Sequence, residues 1–268
     1  MRLAVLADVH GNLEALEAVL SDVDRQAPDA SVVVAGDVVG YGPDPNACIE
    51  LLRARGAAVV LGNHEEMVLG LRDFSRCVYA GIVAALWTRR HLSPENEAYL
   101  RSLSPSLEVA PGVIAAHGDL GSTDTYVSTG PLARAALERL GVRYPNARVL
   151  LLGHTHHSML FTTSRGAIRG AAGARFALGN GPALINPGAV GQARDELVLA
   201  RWACLDLDGG LVSYRALAYD QHRTLEKLGR AGLVARVTLP PPRGLARHIE
   251  RLRTRLARRR AERKPHCP

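Results

Sequence analysis

Hydrophobic residues fall along this chain in short blocks of two kinds, and their alternation predicts an α/β fold. Blocks of the first kind are near-continuous apolar runs: Leu3 to Ala7, the β-branched start of SVVVAGD (31–37), AAVVL in 57–61, VIAA in 113–116 and RVLLL in 148–152. Runs of about five residues without alternation suit strands buried on both faces. Blocks of the second kind carry apolar residues at helical spacing. Leu13, Leu16, Val19, Leu20 and Val23 predict a crossover helix over 13–25. Further helices are expected from Pro45 to Arg55, over 65–71 and 78–92, after Ser93-Pro94 with serine as the cap, and over 131–140. SLEVAPGVIAAH reads as a hairpin turning at Pro111-Gly112, and the Gly-, Ser- and Thr-rich loop 118–130 as a lid or substrate edge. Beyond residue 157 the chain becomes mainly β, with a hairpin turn at Asp208-Gly209-Gly210 and a helix capped by Asp220. Residues 164–181 are Gly- and Arg-rich without periodicity and read as a flexible insertion. Strand–helix units followed by a meander imply two sheets packed together with helices outside.

Each of the five apolar runs stops at a polar cluster. The clusters are Asp8-Val9-His10-Gly11-Asn12, Gly36-Asp37, Gly62-Asn63-His64-Glu65, His117-Gly118-Asp119 and Gly153-His154-Thr155-His156-His157. In open α/β sheets ligands bind beyond the carboxyl ends of the strands. Helix caps would explain Asp and Asn at such places but not the repeated His, so the clusters predict a metal site. On an extended segment Asp8 and His10 would point to one side and Val9 to the other.

Composition adds limits. The chain has 268 residues, 47% hydrophobic and 22% charged, which fits one large α/β domain over 1–242. No apolar run is long enough for a membrane span, and MRLAVLA lacks a signal-peptide core, so a cytoplasmic protein is expected. Cys48, Cys77, Cys204 and Cys267 show no CxxC pairing and read as reduced thiols. The net charge of +7 is local: nine Arg and Lys264 against Glu250 and Glu262 put residues 243–264 at +8, leaving the rest near −1. Residues 243–268 therefore form a basic C-terminal helix or tail. Leu245, Ile249, Leu252 and Leu256 recur at helical spacing, so docking on the body or on a twin subunit is preferred to nucleic-acid binding.

In order and spacing, Asp8-x-His10, Gly36-Asp37, Gly62-Asn63-His64-Glu65, a lone His117 and Gly153-His154-x-His156 resemble the calcineurin-like metallophosphoesterases over residues 3–157. Asn186-Pro187-Gly188 followed by Gln192, Arg194 and Asp195 resembles the small prokaryotic phosphodiesterase-like branch and extends the likeness to about residue 220. The resemblance implies the metallo-dependent phosphatase fold, a four-layer α/β/β/α sandwich of two mixed sheets. It implies two divalent transition-metal ions (Mn, Fe, Co, Ni or Zn, manganese first) and a bridging hydroxide as nucleophile. Metal one would take Asp8, His10, Asp37 and His156; metal two would take Asp37, Asn63, His117 and His154, with Asp37 shared. His64 resembles the residue that donates a proton or hydrogen bond to the leaving oxygen.

Several residues keep two readings. Glu65 orients His64 or, in preference, caps the next helix or is solvated. Asn12 touches substrate phosphate or caps the first helix. Arg194 meets phosphate or forms a structural ion pair. His157 reads as a surface histidine, since its neighbour on a strand would face the other way. Serine/threonine phosphatases and dinucleoside tetraphosphatases of the superfamily carry Arg-Gly after Gly-Asp, whereas Tyr41 stands here. Without that guanidinium a phosphodiester, nucleotide-like in form, is expected in preference to a phosphomonoester or phosphoprotein. A metal-free scaffold of the same fold is the reading from another class, opposed by the presence of all seven ligands and His64. A small phosphoester is the expected partner.

Overall fold

The computed structural model describes residues 1–194, 197–233 and 245–262, with the side chains of 251–259 described in the last of these. The first part alternates: β1 (Arg2–Leu6), α1 (Leu13–Gln26), β2 (Ser31–Val34), α2 (Pro45–Ala54), β3 (Ala58–Val59), then α3 (Asn63–Leu69), α4 (Tyr79–His91) and α5 (Pro94–Arg101). The hairpin β4 (Ser106–Ala110) and β5 (Val113–Ala116) leads to α6 (Gly130–Arg143) and β6 (Val149–Leu151). The later chain holds β7 (Met159–Thr162), β8 (Gly166–Arg169), β9 (Arg175–Ala177), β10 (Ala183–Asn186), β11 (Ala200–Asp206), β12 (Leu211–Leu217), α7 (Gln221–Arg230) and α8 (Leu245–Glu262). Local signals act as expected at several ends: Asn12 accepts from the Ala15 amide, Ser93 from Asn96 and Asp220 from Arg223, each capping its helix.

Two mixed six-stranded sheets result, in the orders β3-β2-β1-β11-β12-β9 and β4-β5-β6-β10-β7-β8. Strand parity sorts the core into layers. Leu3 and Val5 of β1 face inward with Ala115, Leu151, Ile185 and Leu205, filling the space between the sheets. The alternate residues Ala4 and Leu6 face out onto Leu16, Val19 and Leu20 of α1 and Ile49 of α2. On the far side Ile114, Leu150 and Leu184 pack on Ala133, Ala136, Leu137 and Leu140 of α6. Residues buried on both faces explain why these strands read as continuous apolar runs. The expected α/β/β/α sandwich is the fold found.

The parallel strands decide where the site lies. β1 pairs parallel with β2, and β2 with β3; in the second sheet β5 and β6 run parallel, as do β6 and β10. The carboxyl ends of all of them reach the same rim of the sandwich.

Two expectations need correction. Residues 164–181 are not a flexible insertion: β8 pairs antiparallel with β7, and β9 with β12. These edge strands of four and three residues bury only one face in part, too short a pattern for periodicity to register. The tail docks on the body through α8, but not through the two leucines whose side chains are described. Leu252 and Leu256 are 46% and 58% exposed, while Thr254 is buried and Ala257 packs against the first core cluster. The side chains of Leu245 and Ile249 lie outside the described residues. No helix among the described residues is long and apolar enough to cross a membrane.

A buried polar tie joins α1 to the first sheet. The Asp22 carboxylate accepts from Trp202 Nε1 at 3.0 Å and from Arg215 Nε at 2.5 Å and Nη2 at 3.1 Å. Burial opposes its charge, yet the hydrogen bonds of Arg215 and Trp202 outweigh burial and hold its pKa below 3.8. The stabilisation it provides is therefore complete above that pH and lost as pH falls below it. Asp22→Ala leaves the indole N–H of a fully buried tryptophan unpaired, and a loss of roughly 2–4 kcal/mol in urea unfolding at neutral pH is expected. The deficit should shrink as pH drops below about 4, where the wild type loses the same charge.

Candidate metal centre

The loops that follow β1, β2 and β6 on the shared rim turn sharply. Among the described residues six non-glycines have positive φ: Asp8 (55°), His10 (50°), Asp37 (56°), Tyr41 (57°), His154 (66°) and His156 (62°). Such conformations cost L residues about a kilocalorie or more and persist where the surroundings impose them. Five of the six are expected metal ligands, so the backbone is strained where the chemistry is placed. This also revises why Asp8 and His10 converge: β1 ends at Leu6, and left-handed turns, not strand alternation, aim both side chains inward. Glycine is required where these loops meet. A Cβ on Gly36 would lie 2.7 Å from His117 Nδ1, and one on Gly40 would lie 2.2 Å from His64 Nδ1.

The expected ligands come together in two groups, with Asp37 of the second also near His10 of the first. Asp8, His10 and His156 form one group, and Asp37, His117 and His154 another, each with donor atoms within 4.8 Å of one another. Asn63 joins the second through Oδ1, 3.0 Å from His117 Nε2. One oxygen, Asp37 Oδ2, lies 3.1 Å from His117 Nε2 and 3.8 Å from His10 Nε2. Asp37 Oδ1 is turned away to accept the His64 amide at 2.9 Å. His64 also falls in a group with His10 and Asp37, so geometry alone does not separate it from the ligands.

The donor set fits cations. Backbone carbonyls take the Nδ1–H of three imidazoles: Val39 O at 3.1 Å from His10, Ala35 O at 2.7 Å from His117 and Gln192 O at 2.6 Å from His156. Pinning Nδ1 in this way leaves Nε2 as the coordinating atom, the usual support of a metal-binding histidine. His10 and His156 then face each other with Nε2 atoms 3.2 Å apart, and Asp8 Oδ1 lies 3.4 Å from His156 Nε2. Three acceptors converge there, and only Asp8 Oδ1 has a donor, the His154 amide at 3.1 Å. Asp8 Oδ2 and His154 Nε2 are buried with no hydrogen-bond partner at all. Such groups are costly to bury unless a cation completes them.

Proton affinities carry the same imprint. Burial, and then the neighbouring His64, hold His10 well below its ordinary pKa; burial and Arg194 do so for His156. Burial and His117 push His154 down to about 2. Burial raises Asp8 to about 7. His117 is the exception: burial opposes its charged form, but the Asp37 carboxylate beside it prevails and takes it up to about 9. In the metal-free protein a proton on His117 thus balances Asp37 where a cation would.

The remaining candidates separate. Glu65 is buried, and its carboxylate accepts from the amides of Asp37 (2.9 Å), Val39 (3.0 Å) and Gly62 (2.8 Å). It caps α3 and clasps the Asp37 loop, so it is neither solvated nor an orienter of His64; burial and then Asp37 push it up to about 7. The polar atoms of Asn12 are taken up within the protein. The residue is fully buried, caps α1, and gives its amide to Gly191 O at 2.9 Å and Tyr219 OH at 3.3 Å. His157 is exposed, from a loop rather than a strand. Arg194 hydrogen-bonds the Tyr126 hydroxyl and stacks its guanidinium 5.7 Å over that ring. Its charge acts on Asp8, His10, His64, His154 and His156, which sets it over the centre. Asp195 lies outside the described residues.

A cavity of about 380 Å³ opens from Asp37, Asn63, His64 and His154. Some of its wall was not foreseen. Asp124 and Tyr126 arrive from the loop 118–130, with Asp124 Oδ1 3.9 Å from His154 Nε2 and the Tyr126 ring 4.1 Å from the His154 ring. Arg72 and Arg76 close the far side. Only the loop's length hinted at the first pair; no motif marks the second.

Because His117 carries a proton up to about pH 9, a cation entering beside Asp37 must displace it. Affinity of the metal-free protein for Mn²⁺ should therefore rise about tenfold per pH unit between 7.5 and 8.5. Competition titrations with a chelator across that range check this, and a flat profile would remove His117 from the ligand set.

Similarity to known proteins agrees with this geometry. The profile described as calcineurin-like phosphoesterase matches residues 1–158. An uncharacterized protein of Methanocaldococcus jannaschii is 30% identical over 229 residues, covering 84% of this chain and 91% of that protein. A symmetrical bis(5'-nucleosyl)-tetraphosphatase of Pectobacterium carotovorum is 38% identical over 80 residues, which are 29% of this chain and 26% of that enzyme. Among solved structures, a metallophosphoesterase from Sphaerobacter thermophilus superposes with a TM-score of 0.77 at 29% identity, covering 88% of this chain and 97% of that one. The matched residues include all seven positions that converge on the rim, and the chain belongs to the calcineurin-like phosphoesterase family.

Proposed function

We propose that the protein is a dinuclear-metal phosphodiesterase acting on a nucleotide-like diester. The observation that carries the reading is Asp37 Oδ2, set between two donor groups within reach of both His117 and His10. One shared carboxylate suits two ions about 3.5–4 Å apart. Asp8, His10, Asp37 and His156 would hold the first, and Asp37, Asn63, His117 and His154 the second. When bound, the pair would supply a hydroxide nucleophile near neutral pH and neutralise charge on the phosphoryl oxygens. Imidazole and oxygen donors suit Mn, Fe, Co, Ni or Zn, with manganese proposed first.

The chain's own groups would do the rest. Arg194 offers a guanidinium to a phosphoryl oxygen, and the Tyr126 ring keeps it over the centre. Tyr41 is buried where related phosphatases carry arginine, with its ring edge-on to His10 at 4.8 Å. Arg194 matches the single charge of a diester at the centre, while Arg72 and Arg76 on the far wall pair with Glu66 and Asp124, and a cavity of about 380 Å³ leaves room for the second ester group. His64 lines this cavity, and burial lowers its pKa to about 4, against the pull of Asp37. At neutral pH it is a neutral imidazole whose N–H would hydrogen-bond the leaving oxygen. That hydrogen bond would stabilise the negative charge developing on the leaving oxygen, with the proton itself supplied by solvent.

Two outcomes follow for purified, metal-loaded protein. Activated diesters such as bis(p-nitrophenyl) phosphate should exceed p-nitrophenyl phosphate in kcat/KM, and Arg194→Ala should lower both. A clear preference for the monoester or for phosphoserine peptides would favour a phosphomonoesterase on the same site. His64→Gln should keep both metals yet lower kcat by about 10²–10⁴-fold for an alkyl leaving group, and by much less for p-nitrophenolate, which needs little proton assistance. Equal losses for the two leaving groups would leave His64 a positioning residue only.

A further inference from the structure

The outer wall of the cavity is residues 72–78, which form neither helix nor strand and join α3 to α4. Gly70 ends α3 with a left-handed φ of 74°, so the segment leaves its helix abruptly. Its near end is tied down by charge. Arg72 Nε lies 2.6 Å from Glu66 and Nη2 donates to Thr123 Oγ1 at 3.0 Å. Arg76 Nε is 3.1 Å from Asp124, and this side chain stays 71% exposed, with its guanidinium at the cavity mouth.

The far end has a different anchor. α4 begins at Tyr79, and Val78 at its N-cap has no side chain able to accept an amide. Orphan N–H groups at a helix start need an acceptor, and this one is met from a remote part of the chain. The Tyr79 amide donates to Thr254 Oγ1 at 2.8 Å, from α8 and 175 residues away. One turn along α8, Arg258 Nη2 donates to Cys77 O at 2.7 Å. Positions four apart share a helix face, so both bonds come from the side of α8 that meets α4. Cys77, so held, and Val78, which lies between the two bonded residues, line the cavity.

Resting on the diesterase reading, we propose that α8 is a positioning element of the substrate site. Thr254 and Arg258 fix the 72–78 wall so that Arg76 meets a second anionic group on the substrate, beyond the scissile phosphate. The substrate class is then a nucleotide diester carrying a further phosphate. Removal of the cap frees the start of α4, the wall loosens, and the second phosphate loses its partner while the metal centre is untouched.

The test uses the full-length, metal-loaded protein and two ligands, thymidine 5'-phosphate and thymidine 3',5'-bisphosphate. Thr254→Val keeps the shape and removes the acceptor; Arg258→Met removes the second bond independently; Thr254→Ser restores the acceptor. Calorimetry should show wild type preferring the bisphosphate. That preference should fall roughly fivefold in Thr254→Val and Arg258→Met, the scale on which losing one helix cap acts, and return in Thr254→Ser, with metal content constant. Hydrogen exchange at the amides of 72–79 should quicken in the same two variants. Arg76→Ala should lose the preference without faster exchange. Quicker exchange with the preference intact would confine α8 to a structural role and overturn the proposal, as would unchanged exchange in both variants. If wild type hydrolysed no diester, the diesterase reading alone would fall, since binding and exchange need no turnover.

Discussion

The Asp37 carboxylate, buried between imidazoles from both sheets, is the constraint that the surrounding structure serves. An anion in that position needs its backbone held, its orientation set and its charge balanced. Glu65 provides the first by accepting three amides, including that of Asp37 itself. The His64 amide provides the second by claiming Oδ1 and leaving Oδ2 for the two ligand groups. The third is left to His117, whose raised proton affinity is the metal-free answer to a charge that a cation would otherwise meet. Groups that would be liabilities in a core therefore become a site: unpartnered buried oxygens and nitrogens, facing lone pairs, and left-handed turns at non-glycine residues.

The two sheets make this arrangement rigid. Asp8, Asp37 and Asn63 come from one sheet and His117, His154 and His156 from the other, so the centre spans the seam between them. The apolar layer of Leu3, Val5, Ala115, Leu151 and Ile185 lies directly behind it. Asn186 stitches the rim by giving its amide to Gly153 O at 2.6 Å, and Val190 and Gly191 donate to Ala7 and Asp8. The same stretch carries Arg194 over the centre. The chain thus folds back from the second sheet to bring a cation to loops that the first sheet supplies. The wall opposite, at 72–78, rests on the first core cluster through Phe74 and Cys77 and is held from α8 by Thr254 and Arg258.

Much of the centre was legible in the sequence because its information is local. Apolar runs buried on both faces announce strands, and a Gly-flanked Asp, Asn or His at the end of each announces a rim residue. Asp8, His10, Asp37, Asn63, His117, His154 and His156 could be named in order, since each follows its own strand within a few positions. Secondary structure was legible for the same reason at Asn12, Ser93 and Asp220, where one side chain caps its own helix. Tertiary structure alone decided the rest. The left-handed turns that aim Asp8 and His10 depend on loops packing against one another, as Gly36 and Gly40 show by lying against the His117 and His64 rings. Asn12 kept both a phosphate reading and a cap reading from sequence, and the structure shows the cap together with amide bonds to Gly191 and Tyr219. Edge strands β8 and β9 exist only because β7 and β12 offer unpaired backbone. The face by which α8 docks was set by Thr254 and Arg258 meeting backbone groups at the start of α4, while Leu252 and Leu256 stay largely exposed. Local sequence specifies which groups a strand delivers to its end; which of them stay free for chemistry depends on partners far along the chain.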